Sequence, residues 1–233
     1  MIASDFDWEN LFIINPDISI LRRKVFTVLE RIDCRNLSFS GGIDSTILLI
    51  LMKELYDKEV VCYTTGITES HPDVVLAKSI TSELNVSWKF LSIDDTVDKD
   101  GDGNWIVSQF YGNLKKCGVQ EIIAGDGIDE YMGGYYKHMQ DPSVGMYYYF
   151  LKDLLGGHLF PLNSNSKDVK VHLPYLFPEL VVMYNNYELK NRFFIDGRKK
   201  VMVRLAEALN IPPEIINRRK YGFCDAARIK EDM

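Results

Sequence analysis

The residues in this chain best suited to chemistry are Ser40-Gly41-Gly42-Ile43-Asp44-Ser45, between the apolar Leu37-Ser38-Phe39 and the run Thr46-Ile47-Leu48-Leu49-Ile50-Leu51-Met52. Two adjacent glycines let the backbone turn tightly and approach an anion with no Cβ in the way. A helix start just beyond supplies unpaired N–H donors and the positive end of a dipole. Ser40 and Ser45 add hydroxyl donors, and Asp44 is of the right type to hold Mg²⁺ against phosphates. The pattern suits a pyrophosphate and its metal ion. The alternative reading is a serine-rich turn with Ser45 or Asp44 as the helix N-cap. At average residue frequencies the pattern S-G-G-x-D-S arises in a chain this long with a chance on the order of 10⁻⁴.

A second constellation runs Ala124-Gly125-Asp126-Gly127-Ile128-Asp129-Glu130-Tyr131-Met132-Gly133-Gly134-Tyr135, directly after the apolar Ile122-Ile123. Asp126, Asp129 and Glu130 cannot all be desolvated together unless a cation or a proton offsets their repulsion. A metal shared by Asp129 and Asp44 meets that requirement. Otherwise the glycines form a turn and the acids charge the first turn of a helix. The third segment is Lys200-Val201-Met202-Val203-Arg204, followed by Pro213-Glu214-Ile215-Ile216-Asn217-Arg218-Arg219-Lys220-Tyr221-Gly222-Phe223. Its lysines have the reach for a phosphoryl group, although spacing alone leaves them on a surface helix.

These residues need elements to position them. Helical spacing of Leu21, Val25, Val28, Leu29 and Ile32 predicts an amphipathic helix over 20–32. Strand patterns follow at 37–39, 59–64, 87–93 and 121–124, with helices at 45–56, 72–84 and 105–116. Strand and helix in alternation imply a parallel α/β sheet with helices on both faces, whose ligands bind beyond the carboxyl ends of the strands. Beyond Tyr135 the strand pattern fades, and helices broken by Gly156-Gly157, Pro161, Pro174, Pro178 and Pro212-Pro213 are expected. The expected organisation is an N-terminal helical segment (1–34), a nucleotide-binding α/β part (35–135) and a mainly helical C-terminal part (136–233).

The 233 residues suffice for a sizeable core, and the net charge of −6 argues against nucleic acid as a partner. No basic leader opens the sequence and no apolar run reaches ~18 residues, so the expectation is a soluble, cytoplasmic protein away from membranes. Cys34, Cys62, Cys117 and Cys224 are dispersed, as are the four histidines, which predicts reduced, mostly buried thiols and no zinc site. Asp98-Lys99-Asp100-Gly101-Asp102-Gly103 matches the first half of a Ca²⁺ loop, but its twelfth position is Gln109 and a strand precedes it. An exposed acidic loop is the other reading.

Taken together the three segments resemble the synthetase domain of asparagine synthetases, within the pyrophosphate-loop class of N-type ATP pyrophosphatases. That family shows S-G-G-x-D-S, then G-E-G-x-D-E-x-x-G-G-Y, K-x-x-L-R and a terminal P-x-x-I-x-x-R-x-K-x-G-F. They stand here as Ser40 to Ser45, Gly125 to Tyr135, Lys200 to Arg204 and, with a small spacing difference, Pro213 to Phe223. The segment 65–73 resembles the family's G-x-x-x-S-x-D loop. The resemblance implies an adenine nucleotide alpha hydrolase-like fold and an ATP-dependent, AMP-forming amide ligase. A carboxylate, aspartate by default, attacks the α-phosphorus of ATP, pyrophosphate leaves, and an amine displaces AMP. Ser40, Gly41, Gly42 and Ser45 would hold pyrophosphate, Asp44 and Asp129 Mg²⁺, and Thr65 and Gly125 would border the adenosine. Lys220 would stabilise charge on the α-phosphoryl group, with Lys200 a second phosphate contact.

Three departures shape the expectation. The family's glutamate between the glycines, a candidate base for the incoming amine, is Asp126, shorter by about 1.5 Å. The family's R-V-P-F-L-D is replaced by His172-Leu173-Pro174-Tyr175-Leu176-Phe177, so the substrate pocket differs. The sequence begins Met1-Ile2 without the glutaminase domain of glutamine-using members. Free ammonia, a separate glutaminase subunit, or an amine within the substrate, as in β-lactam and macrolactam synthetases, would then serve. A nucleotide-binding subunit without synthetase activity is the alternative of a different class.

Overall fold

The amphipathic stripe that opens the described chain forms α1 (Ile18–Ile32), whose Leu21, Val25, Val28 and Leu29 are buried. Asp17 caps it, accepting from the backbone N–H of Ser19 at 2.9 Å and Ile20 at 3.2 Å. The computed structural model describes residues 17–94, 103–192 and 199–218. From α1 the chain alternates through β1 (Asn36–Ser38), α2 (Ile43–Tyr56), β2 (Val61–Gly66), α3 (Pro72–Glu83), β3 (Ser87–Ser92), α4 (Asn104–Lys116) and β4 (Glu121–Ile123). Each lies within about two residues of its sequence expectation, the usual latitude of element ends.

All strand pairings are parallel, in the order β3-β2-β1-β4-β5, where β5 is Lys170–His172. Alternate strand residues face opposite layers. On β2, Cys62 joins the core formed with α1 and α2, while Tyr63 joins Phe110, Tyr111 and Leu114 of α4. Helices therefore cover both faces. The chain runs outward from β1 to β3, then returns to place β4 on the other side of β1. The connections after β1 and β4 thus leave in opposite directions, and a crevice opens between them at the carboxyl ends of the strands.

After β4 come α5 (Ile128–Met132), α6 (Tyr136–Gln140), α7 (Val144–Asp153) and α8 (Phe160–Asn165), then, beyond β5, α9 (Pro178–Asn185), α10 (Leu189–Arg192), α11 (Lys200–Ala208) and α12 (Pro213–Ile216). One expectation is corrected here. The strand pattern does not end at Tyr135, because residues 170–172 complete the sheet as β5. Three residues, of which only Val171 is apolar, are too short to show a period. Residues 144–165 are continuously helical, with the wider π turn Leu154–Leu159 in the middle. Pro161 has no N–H and would crowd the carbonyl four residues back, which is Gly157, so the widened turn accommodates it.

Leu21, Leu37, Leu48, Ile123, Tyr184 and Leu205 belong to one core cluster, so α1, α2, α9 and α11 pack together on one layer. Cys34 and Cys62 are buried thiols, while Cys117 is exposed. No helix among the described residues is long and apolar enough to cross a membrane.

Candidate active site

Both loops that leave the crevice carry the tripeptide Gly-Ile-Asp in the same place. Gly42 is the N-cap of α2 and Asp44 its second residue; Gly127 is the N-cap of α5 and Asp129 its second residue. Both caps are glycines and have no side chain to accept from the first-turn N–H groups, and neither Ser45 nor Asp44 is the cap of α2. Instead, the Ser45 and Thr46 hydroxyls donate back to the Gly42 carbonyl at 3.1 and 2.8 Å, and Ser40 Oγ lies 3.2 Å from Ser45 Oγ. Gly41 has φ +69°, and a Cβ there would stand 3.2 Å from the Ala77 backbone nitrogen of α3. This position requires glycine both for its left-handed backbone and for the close approach. Gly125 lies against Asp44 and Tyr175, and the Tyr175 hydroxyl donates to the Asp44 carbonyl at 2.9 Å in the buried interior.

The two aspartates share a cation. The ammonium of Lys199 forms ion pairs with Asp44 Oδ2 and, at 2.5 Å, with Asp129 Oδ1. Lys199 is only 3% exposed and takes a left-handed backbone (φ 51°) just before α11. Lys199 is the neighbour of Lys200, the residue expected as a phosphate contact, and the sequence does not single it out. Lys199 is the N-cap of α11 and lies outside the helical period, so no local pattern in the sequence marks it, while Lys200, the first helical residue, is half-buried. A Cβ on Gly134 would overlap both the Asp129 carboxylate and the Lys199 side chain, so the second glycine of the Gly-Gly-Tyr run makes room for the ammonium. Asp44 Oδ1 is buried with no hydrogen-bond partner among the described residues. An orphaned carboxylate oxygen beside a second carboxylate is a donor set that fits Mg²⁺. Among the described residues no three His, Cys, Asp or Glu side chains converge on a metal position, so a cation here would complete its shell from phosphate and water.

Around the second loop lies a polar network that the sequence did not disclose. Asp126 Oδ1 is 2.8 Å from His158 Nε2, which the π turn presents, and this hydrogen bond raises the imidazole above its ordinary pKa. Glu130 is 3% exposed and accepts the Tyr135 hydroxyl at 2.8 Å, while burial pushes its carboxyl up. His138 Nδ1 accepts the Tyr135 N–H at 3.2 Å, and burial holds this imidazole down to about 4. Phe150 of α7 stacks on Tyr135 with ring centroids 4.4 Å apart.

On the other side of β1, Thr65 near the end of β2 donates its hydroxyl to the Leu91 carbonyl at 2.7 Å, committing the side chain to β3. Asp73, in the first turn of α3, is paired with Arg218, so this first residue of the basic run meets α3 and is not wholly solvated. Lys220 lies outside the described residues, as do Asp98 to Asp102 of the acidic loop. The amide of Gln109, the last position of that loop, bonds the backbone N–H and carbonyl of Asp94, each at 3.0 Å, and nothing supports Ca²⁺ binding there.

Comparison with known proteins places this geometry. Residues 36–149 match the family model for asparagine synthase. A Methanocaldococcus jannaschii protein named putative asparagine synthetase (glutamine-hydrolysing) 1 is 26% identical over 214 aligned residues. That alignment takes in 76% of this chain but spans only 38% of the relative. Among solved structures, an ammonia-dependent NAD synthetase from Campylobacter jejuni is similar at 15% identity and a TM-score of 0.46, covering 94% of this chain and 81% of that one. The tRNA thiolase NcsA of Methanococcus maripaludis is similar at 14% and 0.44, covering 86% and 75%. At those scores the fold assignment rests on the strand order, not on the overlays. Residues 36–149, which carry the parallel strands β1 to β4 and both Gly-Ile-Asp loops, are thus similar to the asparagine synthase family.

Proposed function

We propose that the chain is the synthetase part of an ATP-dependent, AMP-forming amide ligase that adenylates a small carboxylate, by default aspartate, and passes it to an amine. The observation that carries this reading is the meeting of Asp44 and Asp129 around one cation where the β1 and β4 loops diverge, beside an uncapped helix start. An in-line displacement at phosphorus asks the protein chiefly for positioning and charge neutralisation. The first-turn N–H groups of α2, with Ser40, Gly41, Gly42 and Ser45, would hold the departing pyrophosphate. Asp44 and Asp129 would hold Mg²⁺, which when bound neutralises the phosphate oxygens. Thr65 and Gly125 would border the adenosine, and Lys200 and Lys220 would supply further phosphate contacts. Asp126, supported by His158, would take the proton from the incoming amine.

The test is pyrophosphate release from ATP with aspartate and ammonium. Asp44→Ala is expected to lower it by about 10²-fold or more with the fold intact by circular dichroism. Unchanged release in this variant would remove the assignment. A different carboxylate is favoured by one feature. Where the family carries Arg and Asp, His172 is held by Glu121 at 2.9 Å and Phe177 lies under the Arg31 guanidinium at 5.5 Å. Release driven by another carboxylate and not by aspartate would select that reading.

A further inference from the structure

The cation between Asp44 and Asp129 belongs to the chain itself, and the surroundings are shaped to keep it there. Lys199 is buried to 3% exposure, adopts a left-handed backbone uncommon for a non-glycine residue, and reaches its partners through space that Gly134 leaves open. The residues on the two loops are held independently: Tyr175 fixes the Asp44 backbone, and Gly134 N–H bonds the Asp129 carbonyl at 2.8 Å. Without a positive charge between them, two mostly buried carboxylates would repel at close range in a medium that screens poorly.

We propose that Lys199 is the resident counter-ion of the Asp44/Asp129 pair: its ammonium ties the β1–α2 and β4–α5 loops together in the empty protein and must move off the carboxylates when a divalent cation enters. An ammonium and a divalent cation cannot share one pair of carboxylates without repulsion. The affinity of the bare site for metal is therefore set by this competition, and metal arriving with a polyphosphate gains because the displaced lysine finds a new anionic partner. This rests on the reading that Asp44 and Asp129 are metal ligands, but on no assumption about the carboxylate or the amine.

The probe is Mn²⁺ alone, measured by calorimetry on the full chain, with thermal melts in EDTA and in Mn²⁺. Lys199→Met is expected to bind Mn²⁺ about tenfold or more tightly than the wild-type protein. Its melting temperature should be lower in EDTA and largely recovered by Mn²⁺. If Lys199→Met does not fold, the same comparison is made between Lys199→Met/Asp129→Asn and Asp129→Asn, where the buried site carries one acidic charge fewer. Equal or weaker Mn²⁺ binding after removal of the lysine, or no binding by either protein, overturns the proposal. Pyrophosphate release by the wild-type protein is followed in parallel. Intact release with unchanged Mn²⁺ affinity removes only the role of Lys199, whereas absent release with the tenfold gain removes the ligase reading and leaves the competition standing.

Discussion

The two Gly-Ile-Asp loops begin alike and lead into helices of very different length and support. After Gly42 the chain enters the fourteen-residue α2, nearly all of whose first half is buried, with Ile47, Leu48, Leu49, Leu51 and Met52 fully inside. After Gly127 it enters the five-residue α5, which ends at Gly133 in the left-handed conformation. A helix that short gains little from its own hydrogen bonds. Its position depends on side-chain partners: Lys199 on Asp129, Tyr135 on Glu130, and His158 on Asp126. Asp44 starts a long buried helix, whereas Asp129 sits on a short one that adds a polar network to the packing of Ile128 and Met132, and such a network is costly when one member is lost.

The sharpest way to break this symmetry is Gly134→Ala. The new Cβ overlaps Asp129 and Lys199, and a loss of about 4 kcal/mol in denaturant unfolding is expected. Leu48→Ala, beneath the first loop, should cost about 3 kcal/mol through the cavity it leaves, with little effect on the second loop's hydrogen-exchange protection. Gly41→Ala forces a side chain into a left-handed backbone, at about 1–2 kcal/mol by the same assay. Tyr135→Phe strips the buried Glu130 of its donor and should cost about 1 kcal/mol. An effect of Tyr135→Phe as large as that of Gly134→Ala would mean that the second loop hangs on Glu130 more than on Lys199.

The smallest effect at neutral pH comes from His138. Its folded pKa of about 4 lies below the unfolded value of about 6.5, so between these values the unfolded chain binds a proton that the folded one does not. This contribution to stability is complete above the unfolded pKa and is lost as pH falls toward 4. His138→Gln should flatten that part of the stability–pH curve, and an unaltered slope would assign the acid loss to other groups.

Much of this was legible in the residues themselves. Runs such as 37–39 and 45–56 announced β1 and α2 because strand and helix periods are local. Asp44 and Asp129 stood out because acids and glycines at a strand's carboxyl end suit a shared cation, and the structure brings both onto one ammonium. Lys199 was hidden within Arg198-Lys199-Lys200, since choosing among three consecutive basic residues requires the register of α11 against a loop 155 residues earlier in the chain. His158 was equally silent: it meets Asp126 across 32 residues because Pro161 follows a turn that widens.

Sequence by itself determined the alternating architecture and the identity of the two aspartates, because both follow from neighbours a few residues apart. Tertiary structure alone decided which cation lies between them and which hydroxyl, imidazole and phenol hold the second loop. Those choices depend on electrostatics between segments distant in the chain, and on a left-handed turn at Lys199, just ahead of α11, that buries its side chain while that of Lys200 stays half-buried.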